Sequence, residues 1–98
     1  MSNDPILSRL GFARKASKLA FGFQKSKEAL KQRKAKLIVV AADVSNKSEK
    51  EIRFFAGDSV PVIRINSTIE ELSQAIGLRA GIVAVTDQGF ATAISEQI

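Results

Sequence analysis

Few side chains in this sequence could do chemistry, and they favour binding over catalysis. The 98-residue chain has neither histidine nor cysteine. That removes the commonest general base and every thiolate nucleophile or ligand. A serine could be activated by lysine, but Ser17/Lys18 and Ser26/Lys27 are chain neighbours and face different directions on a helix. Glu70 and Glu71 fall in what reads as a first helical turn, where negative charge is favoured without any catalytic role. Asp43 and Asp87 each follow an apolar run. They could meet at one sheet end as metal ligands, but the expected role is to cap the helices that follow. Gly77, Gly81 and Gly89 match no phosphate-loop or dinucleotide spacing. No catalytic residue, cofactor or metal is expected.

The cations tell more. Residues 9–36 carry ten basic groups (Arg9, Arg14, Lys15, Lys18, Lys25, Lys27, Lys31, Arg33, Lys34 and Lys36) against one acid, Glu28. Residues 37–65 balance, and residues 66–98 carry only Arg79 against Glu70, Glu71, Asp87 and Glu96. The net charge of +5 is therefore gathered at one end of the sequence. A surface built only for solubility mixes its signs more evenly. The asymmetry points to a polyanion, nucleic acid before membrane, over a solvated basic face with no ligand. Phe23 stands beside two of these lysines, and Arg79 and Ile82 flank Gly81. Cations next to aromatic or apolar groups suit unstacked RNA bases. Phe23 reads equally well as a core residue. Phe12, Phe21, Phe55 and Phe90 read as core, and Phe54 stays open because Phe55 already takes the inward position.

Secondary-structure elements must hold these residues in place. Asp4-Pro5 caps and opens a helix running to about Ala16 or Ser17. Leu19-Ala20-Phe21 is an edge strand or extended link. Gly22 permits a turn into a helix from about Phe23 or Gln24 to Gln32. This helix sets Ser26, Ala29 and Leu30 inward and Lys27, Lys31 and Lys34 along its outer side. Its N-terminus offers free N–H groups to phosphate. Lys36–Ala42 is a strand, continuously apolar from Leu37 and so covered on both faces. Asn46 with Glu49 three residues later starts a helix carrying Ile52, Phe55 and Ala56, and Gly57 ends it. Val60–Ile65 is a strand that Pro61 restricts to an edge. Ser67-Thr68 with Glu70 and Glu71 starts a further helix, with Ile69, Leu72, Ala75 and Ile76 inward, that stops at Gly77. Residues 78–81 form a loop, Ile82–Thr86 a buried strand, and Asp87 opens a last helix with Phe90, Ala91 and Ile94.

Strands and helices alternate, and the strands are too apolar to face water. The expectation is one domain over residues 1–98 of the α/β class, a three-layer α/β/α sandwich around a small mixed sheet of about four strands. At 45% hydrophobic content the chain can bury one thin core. Its start lacks the basic and apolar regions of a signal peptide. Its longest apolar run is far too short to span a bilayer. A cytoplasmic monomer is expected.

Taken together, certain segments carry a resemblance. They are Leu10–Ala16 with Lys18-Leu19 and Gly22, Lys34–Asp43 with Ser45-Asn46, Val60–Val62, Glu71-Leu72, Ala75–Gly77, and Val85–Ala91. In this order the chain resembles the small bacterial YlxQ-like ribosomal proteins. These belong to the superfamily of ribosomal protein L-seven-Ae and its thirty-e relative, which bind kink-turns in RNA. The resemblance implies a sandwich that binds without catalysing, a structured RNA (ribosomal or other) as partner, and possible work on the ribosome. It implies that Gly22, Phe23, Gln24 and Lys25 approach tandem G·A pairs, and that Leu78, Arg79, Gly81 and Ile82 cover a flipped-out nucleotide. Asp43 and Ser45 would lie at the same sheet end. Lys27, Glu28, Lys31, Lys34 and Lys36 complete the expected RNA surface, the lysines on phosphates. The chain departs from the family pattern at three places. It has Gln24-Lys25 where well-characterised members have Asn-Glu or Lys-Gln, Glu28 in place of a lysine, and Ser73 where many have glycine. The rival reading is a protein-interaction module of the same fold with reduced RNA affinity.

Overall fold

The two most apolar tetrapeptides of the chain, Leu37–Val40 and Ile82–Val85, lie side by side as the central strands β2 and β4. Every residue in them is buried, as their lack of polar/apolar alternation requires. The computed structural model describes residues 4–98. The leader-free reading of the chain start falls partly on Met1–Asn3 and so lies outside the described residues.

Around the central pair the order is β1-β4-β2-β3, with β1 at Leu19–Phe21 and β3 at Val62–Arg64. β1 and β2 run antiparallel to β4, while β3 runs parallel to β2. A parallel pair needs a crossover, supplied here by α3 (Asn46–Ala56). Helices α1 (Pro5–Lys15), α4 (Ile69–Ile76) and α5 (Gln88–Ser95) form one layer, with α1 against both others. Helices α2 (Gly22–Lys31) and α3 form the opposite layer. The three-layer mixed-sheet sandwich is thus present.

Local signals explain the boundaries. Asp4 Oδ1 accepts the Ile6 N–H at 2.8 Å, with Pro5 in the first helical position. Thr68 and Glu71 close a reciprocal capping box on α4. Asp87 caps α5 through the Phe90 N–H. Some expectations are corrected. The cap of α3 is Ser45, whose Oγ accepts the Ser48 N–H, and not Asn46. Glu49 is then not a capping partner and bonds Arg53 and Arg64 instead. Phe12 is 59% exposed, not core. Arg33 takes a left-handed conformation (φ 59) and turns the chain after Lys31, so Lys34 leaves the helix and does not continue the Lys27/Lys31 row. Among the described residues no helix is long and apolar enough to cross a membrane.

Candidate nucleic-acid interface

Strand directions decide which residues can act together. Because β2 and β4 are antiparallel, the chain leaves β2 at one sheet end and β4 at the other. Asp43 and Asp87 therefore lie at opposite ends and form no pair. Among the described residues no cluster of three or more His, Cys, Asp or Glu side chains could hold a metal.

One end collects the start of α2 and the chain segments after β2, after β3 and before β4. The register places Phe21 beside Val83, and Val40 beside both Ile82 and Arg64. Gly22 begins α2 at φ 86, a conformation that strains any side chain although open space surrounds it. The N-cap is Phe21, and among the described residues no side chain caps the first-turn N–H groups of α2. In α1, α3, α4 and α5 a side-chain oxygen does so. Gln24 and Lys25 are exposed on this first turn, whereas Phe23 is half-buried against the core. Lys25 Nζ lies 3.5 Å from Glu28 Oε2 in an exposed pair, so the one acid of the basic segment is matched by its own neighbour.

The loop before β4 is held from inside. The Ala80 N–H donates to Ser73 Oγ at 3.1 Å, and the Leu78 N–H donates to the Ser73 carbonyl at 3.2 Å. Gly81 packs so closely that a Cβ there would stand 2.9 Å from Val44 Cγ2 and 3.1 Å from Ile69 Cγ1. Its carbonyl accepts the Ala41 N–H. Leu78 and Arg79 are left exposed at the tip. Ile82 is 4% exposed and already in β4, so its side chain packs in the core and not at the loop tip.

Asp43 and Ser45 are at this end, as expected, but both are engaged in structure. Asp43 Oδ1 accepts the Ile69 N–H at 2.7 Å, capping α4 and not the helix that follows it in sequence. Arg64, which the sequence did not single out, ties the same loops together. It donates to the carbonyls of Ala42 and Val44 at 2.6 and 2.8 Å and pairs with Glu49. The bond from Arg53, with help from Arg64, holds the Glu49 carboxyl below the usual range despite partial burial. The roles of Ser73 and Arg64 were not legible in the sequence because their partners are seven or more residues away.

The remaining lysines are elsewhere. Lys27 lies partway down α2 with its Nζ 4.5 Å from the Phe55 ring centroid, and Lys31 is in the last turn. Lys34 and Lys36 lie at the far end of the sheet, where the Lys36 N–H bonds the Val85 carbonyl. The expected RNA surface is thus two surfaces joined by α2.

Comparison with known proteins agrees with this architecture. A protein of unknown function from Bacillus halodurans C superposes with a TM-score of 0.91 at 24% identity, covering 97% of each chain. The Giardia lamblia 15.5kD RNA binding protein gives 0.76 at 16% identity, covering 99% of this chain and 88% of that one. Both show likeness of fold. In sequence, the large ribosomal subunit protein eL30B of Schizosaccharomyces pombe is 32% identical over 91 residues, which is 90% of this chain and 78% of that protein. The eL30 protein of Yarrowia lipolytica is 28% identical over 99% of this chain and 92% of its own length. Residues 4–95 match a family pattern covering nearly the whole chain, and the chain belongs to the ribosomal protein L7Ae/L30e/S12e/Gadd45 family.

Proposed function

We propose that this protein is a noncatalytic RNA-binding protein of the YlxQ-like ribosomal type, acting in the cytoplasm as a monomer on a structured, kink-turn-like RNA. The observation that carries the reading is the pairing, at one sheet end, of the α2 N-terminus with the 78–81 loop. The first offers, at Gly22, Phe23 and Gln24, N–H groups that no side chain among the described residues caps, beside exposed Lys25. A helix start of this kind receives phosphate or base acceptors. The second presents Leu78 and Arg79 on a backbone anchored by Ser73, an apolar and cationic cover for an unstacked base. Family membership and the ribosomal relatives support the same reading and extend it to work on the ribosome.

In this reading Gln24 reads base edges, because its amide both donates and accepts. Lys25 and Lys27 neutralise phosphates. Glu28 repels the backbone less than a free carboxylate would, since Lys25 pairs with it. Asp43, Ser45 and Gly81 position the loops and leave contact to their neighbours.

Titration of a kink-turn RNA and of a copy with its G·A pairs replaced, each at two salt concentrations, tests this. Tighter binding of the first is expected. Equal affinity for both would leave a general RNA binder, and absence of binding to either at low salt would overturn RNA binding itself. In cells, replacing Lys25, Lys27 and Lys31 by alanine should collapse RNA crosslinking. Unchanged crosslinking would support the protein-interaction reading.

A further inference from the structure

The second cluster of cations lines a concavity that the first site does not use. Between the C-terminal ends of α2 and α3 and one face of α5 lies a groove of about 920 Å³. Lys31, Arg33 and Lys36 line it together with Phe55, and among the described residues none of the three cations is in an ion pair. Among the described residues Glu96 is the one acid on its wall. Two further features mark this place. Arg33 sits at φ 59 just after the α2 C-cap, the left-handed helix ending that Ser17 also makes after α1. The reversal it makes brings Arg33 and Lys36 to the same groove. Phe55 holds Lys27 and Lys31 over its ring at 4.5 and 5.7 Å. Its edge-on partner at 5.5 Å, Phe54, is 80% exposed, far beyond what a core role explains.

We propose that this groove and the Phe54 ring packed edge-on to its Phe55 wall form a second RNA site, which takes the backbone of an unpaired strand on Lys31, Arg33 and Lys36 and stacks a base on Phe54. Cations tracking a backbone beside an exposed ring are the elements of sequence-tolerant single-strand binding. An acidic peptide would use the cations but leave the ring without a role. The proposal rests on the reading of the chain as an RNA binder. It adds that the two sites lie at opposite ends of α2, whose ten residues span about 15 Å. One protein molecule thereby holds two segments of a folded RNA, a kinked duplex at one end and a single strand at the other.

The test uses the full chain, a kink-turn hairpin and a 12-nucleotide oligouridylate, with amide chemical shifts and fluorescence anisotropy as readouts. The oligouridylate should shift amides around Arg33, Lys36 and Phe54. R33E/K36E should abolish its binding, and its kink-turn affinity should change less than about threefold, or about 0.7 kcal/mol at 1.4 kcal/mol per tenfold. R33A/K36A should reduce the slope of log affinity against log salt by about 1.4, at roughly 0.7 per lost single-strand phosphate contact. F54A should weaken oligouridylate binding at least fivefold with the salt slope unchanged. Q24A/K25A should do the reverse, weakening the hairpin and sparing the oligouridylate. Arg33, Lys36 and Phe54 are exposed, and unchanged amide spectra elsewhere would verify folding. Unaltered oligouridylate binding in R33E/K36E, or shifts centred on Gly22, would overturn the second site. So would equal binding of polyglutamate of matched charge, which would make the groove a site for acidic protein. Failure of the hairpin alone to bind would overturn the kink-turn reading and leave the groove standing.

Discussion

Ser73 Oγ lies 3.1 Å from the backbone nitrogen of Ala80 and also donates to the Ala80 carbonyl. One hydroxyl on α4 thus satisfies both backbone groups of a buried residue at the base of the exposed 78–81 loop. Ser73→Ala leaves that N–H without its partner, at a cost of about 1–3 kcal/mol. Urea unfolding should register this, and the kink-turn complex should dissociate faster. Ser73→Thr keeps the hydroxyl and should restore most of the RNA residence time.

Glu28 and Lys25 form an exposed pair, of a kind worth about 0.2–1 kcal/mol. Glu28→Gln frees Lys25 and removes a carboxylate from the proposed RNA face. Kink-turn affinity should rise about two- to fivefold, using 1.4 kcal/mol per tenfold. The gain should shrink as salt is raised. An affinity that falls would mean that Glu28 itself accepts a hydrogen bond from a base.

Gly81 and Val44 are matched in size. Gly81→Ala puts a Cβ 2.9 Å from Val44 Cγ2, and overpacking of this sort costs about 1–3 kcal/mol. Val44→Ala alone leaves a small cavity. In the double variant the new methyl occupies part of that cavity, so its destabilisation should be smaller than the sum of the two singles by about 0.5 kcal/mol or more. Thermal denaturation of the four proteins measures this coupling.

Ser26 is fully buried on α2, and its Oγ has no hydrogen-bond partner among the described residues. Ser26→Ala removes an unsatisfied polar atom and improves helix propensity. Stability should rise by about 1 kcal/mol, and the melting temperature by about 4–8 °C for a domain of this size. RNA affinity should not change, because the residue faces inward.

Glu49 bonds Arg53 and Arg64, and its carboxyl titrates below the usual range. A depressed carboxylate stabilises the fold above its unfolded value, near 4.3, and that contribution is lost as pH falls through the lower folded value. The stability difference between the native chain and Glu49→Gln should therefore be full at neutral pH. It should begin to fall near pH 5 and vanish below the folded value. Arg64 keeps its bonds to the Ala42 and Val44 carbonyls in the variant, so the loop after β2 should persist.

Much of the architecture was legible because it is written in local patterns. The runs at Leu37 and Ile82 could only be strands buried on both faces. Thr68 with Glu71, Asp4 with Pro5, and glycines 57 and 77 marked helix ends through chemistry that needs no distant partner. Gly22 was readable for the same reason, as a position where φ must be positive. The cap of α3 was misread by one residue because Ser45 and Asn46 are both good caps. The exposed face of Phe12 was misread because a helix of mixed polarity does not declare which side is covered.

The sequence alone determined that strands and helices alternate as in the α/β class, that histidine and cysteine are absent, and that the basic residues are gathered between positions 9 and 36. It could not determine how those cations divide. That followed from the antiparallel pairing of β4 with both β1 and β2. The pairing turns Gly22 and the 78–81 loop to one end and Lys34 and Lys36 to the other. It also separates Asp43 from Asp87 and commits Asp43 to a helix begun 26 residues later. Helix caps and buried runs are decided within a few residues by backbone conformation and solvation. Which charges share a surface is decided by strand direction, and that depends on contacts between segments far apart in the chain.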